Sequence, residues 1–513
     1  MKTQSSIFLA LLIALSSCHN STSYQQISQQ QVDDILATAD MTMPAIALPA
    51  IPDKTFNVLD QGAKNDGSEL ATEAIQRTID MASEQGGGTV IIPAGVYLTG
   101  PIVLRSNIRL YAEQNALVIF SSDFSLYPII DASFEGVDTK RCQSPISASN
   151  AENIAICGQG TFDGSGDAWR PLRRAKATAK QWKKQVEAGG VVSEDGKTWY
   201  PDSCAMYAQT LCVDQNVPVN VPNWDSIQSF LRPVMLNFIN CKNILLEGVC
   251  FENSPAWNLH PLMCENLVLN NLTVRNPWYS QNGDGVDVES CKNVLINNSK
   301  FDVGDDAICM KSGKNEDGRR RAMPTENVLI NACTVYHGHG GFVVGSEMSG
   351  DVRNIEVNNC LFIGTDVGLR FKSTRGRGGV VENIYVKNIN MASIEADALT
   401  FDLFYGGKGV GEESADEIAA RMAEQVPEVT EETPIFRNIT IENVICKGAQ
   451  RAIYFNGLPE MKIQNVSLNN IHMTAQQGAY FHYTDGLKLS NVFIHAAQGN
   501  SMDFDEVDNV VQK

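Results

Sequence analysis

Four short clusters, three of them marked by glycine, carry residue types that could do chemistry together: Asn282-Gly283-Asp284, Gly304-Asp305-Asp306, Gly338-His339-Gly340 and Arg370-Phe371-Lys372. They hold three carboxylates, one imidazole and two cations, and clustered carboxylates suit hydrolysis of a glycosidic bond. One carboxylic acid protonates the leaving oxygen while an ionised partner activates the attack. Crowding Asp284, Asp305 and Asp306 disfavours charging all three, which raises one pKa. Adjacent strand residues point to opposite faces, so Asp305 and Asp306 can both reach a groove only if the backbone before them is irregular, which Gly304 eases. Arg370 and Lys372 are two apart and share a face on a strand. With Arg375, Arg377, Lys311, Lys314 and Arg319-Arg320-Arg321 they form a basic patch suited to an anionic sugar.

These clusters lie up to about ninety residues apart, so a repeat must bring them together. An Asn-aliphatic unit recurs at Asn153, Asn243, Asn266, Asn293, Asn327, Asn354, Asn383, Asn438 and Asn465. Each opens an alternating apolar–polar stretch, mostly at a period of roughly 23 to 29 residues, as solenoids have. Asn tolerates left-handed backbone and bonds its own turn, which suits a side-chain ladder. Asp284, Asp306, His339 and Arg370 all fall 12 to 18 residues beyond their coil's Asn. Stacked strands about 4.8 Å apart would then line them up on one side. Leucine-rich repeats share this period, but the Leu spacing and helical half are missing.

The architecture expected is all-β: a single-stranded right-handed parallel β-helix over 54–505. Its N-terminal cap, 54–100, contains an amphipathic helix over 72–84 ended by Gly86-Gly87-Gly88, followed by Thr89-Val90-Ile91-Ile92-Pro93-Ala94-Gly95-Val96-Tyr97 as strand and turn. A solenoid needs such a cap, because its first coil otherwise exposes core and an open edge. Two insertions, 165–231 and 406–432, interrupt the repeat and belong on loops around the binding face.

Ahead of the body, Lys2 and the apolar run Ile7 to Leu15 read as a signal peptide over 1–18, too short to span a bilayer comfortably. Leu15-Ser16-Ser17-Cys18 looks like a lipobox, with Cys18 lipidated. Residues 19–53 are expected to be a linker. No acidic run follows Cys18, which points to a periplasm-facing lipoprotein of a Gram-negative, Bacteroides-like bacterium, with the cell surface as the other placement. A net charge of -19 makes nucleic acid a poor partner and leaves membrane contact to the lipid anchor alone. Hydrophobic content of 43% excludes wholesale disorder. Of the thirteen cysteines, Cys241, Cys264, Cys291, Cys333 and Cys360 sit beside the Asn motif and read as small buried residues, while Cys204 and Cys212 are the candidates for a disulfide. No cofactor or metal is expected. The His337-x-His339 pair lacks a third zinc ligand, and a calcium-dependent lyase is the other reading of the acidic cluster.

The order of the four motifs, the cap and the repeat resembles the polygalacturonase family, glycoside hydrolase family 28, over nearly all of the body. One departure is Gly283, where many members have Thr. The resemblance implies that Asp305 is the general acid, that Asp284 and Asp306 activate water, and that His339 tunes the acid. It implies that Asn282, Arg370, Lys372 and Lys311 contact a pectic poly- or oligosaccharide. It further implies inversion, with carboxyl groups roughly 6.5–9.5 Å apart. The expected activity is exo-hydrolysis of α-1,4-galacturonosidic bonds by a monomer, the 165–231 insertion closing one end of the groove. The alternatives are a hydrolase of rhamnogalacturonan or xylogalacturonan, and a noncatalytic glycan-binding β-helix.

Overall fold

A computed structural model describes residues 24–214, 216–406, 414–422 and 426–513. The signal peptide and Cys18 lie outside these. The apolar runs wind into one sheet in which each strand pairs, in parallel, with the strand one coil away, three strands to a coil. This is the parallel β-helix that the period implies. Helix α1 spans Gln29–Leu36 and α2 spans Thr72–Glu84, the latter covering the first coil through Ile75, Ile79 and Ala82.

The recurring Asn residues do form a ladder. Asn153, Asn243, Asn266, Asn293 and Asn327 all have positive φ, and each amide donates to the Asn carbonyl of the preceding coil at 3.0–3.2 Å. Each turn of the helix is thus locked to the one below by the residue that best tolerates the left-handed bend. The stacked cysteines behave as expected: Cys241, Cys264, Cys291, Cys333 and Cys360 are buried free thiols. Cys204 and Cys212, the candidates for a disulfide, are also free thiols.

The segment expected as a linker is docked instead. Ile27, Val32, Leu36 and Ile46 pack on the outer face of five coils, against Ala155, Cys157, Leu245, Val268, Leu295 and Leu329. Two buried carboxylates pin it: Glu247 accepts from the Tyr24 hydroxyl at 2.7 Å and the Ile27 amide at 2.9 Å, and Glu356 from the Asp40 amide at 2.8 Å. The cause is the apolar character of outward positions such as Leu245 and Leu295, which would otherwise face water. At the other end the solenoid runs past residue 505, with Val511 paired to Lys488.

The insertion is a folded lobe rather than a bare loop. It holds α3 (Ala179–Glu187), a short helix Ser203–Gln209 and a three-stranded sheet. A hairpin, Ile129–Phe134 with Val137–Cys142, has no counterpart in the repeat pattern. In the second insertion a helix spans Ala415–Met422; residues 407–413 and 423–425 lie outside the described residues.

Candidate active site

Four strands, one per coil, position the chemistry: β1 (Val286–Glu289), β2 (Asp306–Lys311), β3 (Gly340–Val344) and β4 (Leu369–Lys372). Their inward side chains, Val288, Ile308, Met310, Phe342, Leu369 and Phe371, belong to the core and fix the register. Val286 pairs with Ile308, so Asp284 and Asp306, each two residues earlier, sit one above the other. Asp306 pairs with Gly340, which places Asp305 beside His339 on the next coil. Asp305 lies just before β2 starts, so the backbone irregularity expected there is present. Arg370 and Lys372 share the outward face, as their spacing requires.

Asp284, Asp305 and Asp306 each offer an oxygen within 4.8 Å of the others. Asp284 and Asp306 are in register on neighbouring coils, about 4.8 Å apart along the stack, while Asp305 is the chain neighbour of Asp306. Asp306 is buried, with Arg370 Nη1 donating to Oδ1 at 3.2 Å and Lys372 Nζ to Oδ2 at 2.7 Å. Arg370 comes from two coils away and passes over Gly340, where a Cβ would lie 3.4 Å from the Arg370 side chain and 2.4 Å from Val343 Cγ2. This explains why the residue after His339 is glycine. Gly283 has an equally local cause: a Cβ there would lie 1.9 Å from Ser280 Oγ, so no Thr fits.

Asp305 is the most open of the three, its side chain 22% exposed, and it pairs with His339 Nδ1 at 3.1 Å. Burial works against its charge, but His339, Lys372 and Arg370 outweigh it and hold its pKa below the usual range. Burial also opposes charge on His339, and Asp305 overcomes this to raise it. The crowding expected to raise one carboxyl acts instead on Asp284, pushed well up by burial, then by Asp287 and Asp305. Asp284 Oδ1 is buried and has no hydrogen-bond partner among the described residues, leaving it open to a water or a substrate hydroxyl.

A cavity of about 350 Å³ opens over these groups, lined by Asp284, Asp305, Asp306, Lys311, His339 and Lys372, among others. Asn282 reaches it too, but its Oδ1 already accepts from Asn216 and Arg232, each at 3.0 Å. Asn216 and Glu135, also on the cavity wall, are not marked by the sequence motifs. The only signal for Glu135 is the Gly136 beside it, marking a hairpin tip. The basic patch is smaller than its sequence suggests. Lys311, Lys314 and Arg377 line the cavity, whereas Arg320 and Arg321 pair with Asp138, and Arg375 with Glu460. Lys311 itself is bound to Glu347 at 2.8 Å and lies 3.6 Å from Asp287. His337 turns to Asp302, so the H-x-H pair splits between two carboxylates. The three aspartates could ligate a hard cation, but Arg370 and Lys372 already balance Asp306.

Residues 225–420 match the model for glycosyl hydrolases family 28, and residues 55–157 match rhamnogalacturonase A/epimerase, pectate lyase-like. The family 28 match spans the stretch that holds all four motifs. This chain is a glycoside hydrolase. The chain is 28% identical to an exo-poly-alpha-D-galacturonosidase of Dickeya chrysanthemi over 398 residues, 75% of this chain and 62% of that one. It is 25% identical to a probable polygalacturonase of Vitis vinifera, over 82% of this chain and 74% of the relative. A hyperthermoactive exopolygalacturonase from Thermotoga maritima superposes with a TM-score of 0.68 at 27% identity, covering 94% of this chain and 96% of that one.

The His339–Asp305 pair predicts how this hydrolase responds to pH. His339 is raised above its ordinary 6.5, so its contribution to stability is full below that value and is lost as pH climbs through the raised pKa. Asp305 is lowered from 3.8, so its contribution is full above that value and is lost on acidification. Both are complete between about pH 4 and 6.5. A pH series of unfolding midpoints should show the wild type's advantage over His339→Gln peaking in that window. A difference that stays flat across it would contradict the pairing.

Proposed function

We propose that this chain hydrolyses α-1,4-galacturonosidic bonds of pectic poly- or oligogalacturonides, with inversion and from the chain end. The observation that carries the reading is the convergence of three aspartates and His339 at the floor of a cavity whose wall is built by an insertion. Asp305, the aspartate most open to the cavity, protonates the glycosidic oxygen. The proton it gives is shared with His339, whose imidazole stores it in the ligand-free pair. An anionic sugar entering the cavity offsets Lys372 and Arg370, which shifts that proton toward Asp305. Asp284 and Asp306 hold the water, and Asp306 accepts the proton it loses as its oxygen bonds to the anomeric carbon and the glycosidic bond breaks. Asp306 is gripped by two cations, which makes it a poor covalent nucleophile and favours single displacement.

The lobe over 165–231 and the Glu135 hairpin support exo action, since they wall the cavity where an open groove would let a polymer pass. The test is a time course on polygalacturonate and on rhamnogalacturonan, with proton NMR on the first product. We expect monomer alone from the former, released as the β anomer, and nothing from the latter. A ladder of oligomers would remove exo action, an α product would remove inversion, and cleavage of rhamnogalacturonan alone would remove the galacturonide reading.

A further inference from the structure

The cations expected to grip an anionic sugar are already committed. Arg370 and Lys372 hold Asp306, and Lys311 holds Glu347 with Asp287 nearby. A buried cation whose hydrogen bonds are already given to an acid of the protein has less to offer a further carboxylate. Lys176 differs. It lines the same cavity from the insertion, is half-buried, and has no carboxylate partner among the described residues. Tyr200 and Asn216, from the same lobe, line the cavity with it. Burial above all keeps the Tyr200 phenol protonated, and so a hydroxyl donor. A lysine suits this place, since its ammonium is a compact charge on a flexible stem and can meet a carboxylate without fixed geometry.

We propose that the insertion builds a second carboxylate subsite, centred on Lys176, which binds the uronate of a sugar neighbouring the one cleaved. The subsite rests on the galacturonide reading above and deepens it: the lobe that walls the cavity would also select for charge. In a chain of net charge -19, a cation free to pair is what draws a polyanion to this wall.

The test compares trigalacturonate with its methyl ester in wild type, Lys176→Ala, Lys176→Arg and Lys184→Ala. Lys184 lies on α3 and lines the neighbouring cavity of about 230 Å³, which Pro171 and Lys176 also border, but not the one over the aspartates. Without the Lys176 ammonium to donate a charge-assisted hydrogen bond, kcat/KM on the acid should fall roughly 10- to 100-fold, chiefly through KM. The ester should change much less, Lys176→Arg should recover part of the activity, and Lys184→Ala should match wild type. Equal reductions on acid and ester, or no reduction on the acid, would overturn the subsite while leaving the galacturonide reading intact. Should wild type cleave no galacturonide, that reading falls instead. Calorimetric titration of trigalacturonate then decides the subsite: weaker binding in Lys176→Ala supports it, and equal or absent binding removes it.

Discussion

Asp305→Asn is expected to lower kcat on galacturonides by about 10²- to 10⁴-fold, with little change in KM and a thermal unfolding curve close to wild type. The carboxamide keeps the shape and can still accept the Asp306 amide, which lies 3.0 Å from Asp305 Oδ1. It cannot hand over a proton. His339 loses its ion pair, yet the pair is partly exposed, so the effect on stability is small. Loss of rate without loss of binding or fold is the signature of a group used in the transition state. The competing assignment is Asp284, whose carboxyl is held up by burial and so carries a proton without help. If Asp305→Asn kept more than about a tenth of the wild-type rate, too little an effect for a missing general acid, the proton would have to come from Asp284. Asp284→Asn would then be the inactive variant.

What could be read from the sequence follows from what periodicity encodes. The Asn ladder and the shared offset of the four clusters place Asp284, Asp306, His339 and Arg370 on one side, because stacking converts equal offsets into neighbours. The same logic runs out wherever a contact departs from the repeat. Glu135 and Asn216 reach the cavity from a hairpin and a lobe with no place in the period, so no offset locates them. Net charge also misleads. Arg319 to Arg321 look basic in a row, but each meets an acid distant in sequence, such as Glu432, Asp138 or Glu289. The docked N-terminal segment is partly visible. Ile244-Leu245-Leu246, Leu267-Val268-Leu269 and Val294-Leu295-Ile296 break strict alternation, and the middle residue of each is the one the segment covers. An outward Leu repeated on successive coils means that something lies over it.

The second large effect falls on stability. Asp306→Ala is expected to destabilise the fold by about 3–5 kcal/mol, because it strands two buried cations without a counter-charge. Arg370 and Lys372 side chains are only 5% and 7% exposed, and each gives its hydrogen bond to a different oxygen of this one carboxylate. Burial keeps both from water, and the Arg370 side chain packs close over Gly340. Asp306→Asn retains one acceptor and the volume, so it should cost less stability than Ala while losing comparable activity. Adding Lys372→Met to Asp306→Ala removes one of the stranded charges, and the double variant should be more stable than the sum of the singles implies. Denaturant midpoints at unchanged m would measure all three. An Asp306→Ala protein as stable as wild type, or a double variant that is strictly additive, would mean that the two cations find solvent or another acid. Asp306 would then be held only by its place on the stack, and its anchoring by Arg370 and Lys372 could not be what fixes the water-activating pair.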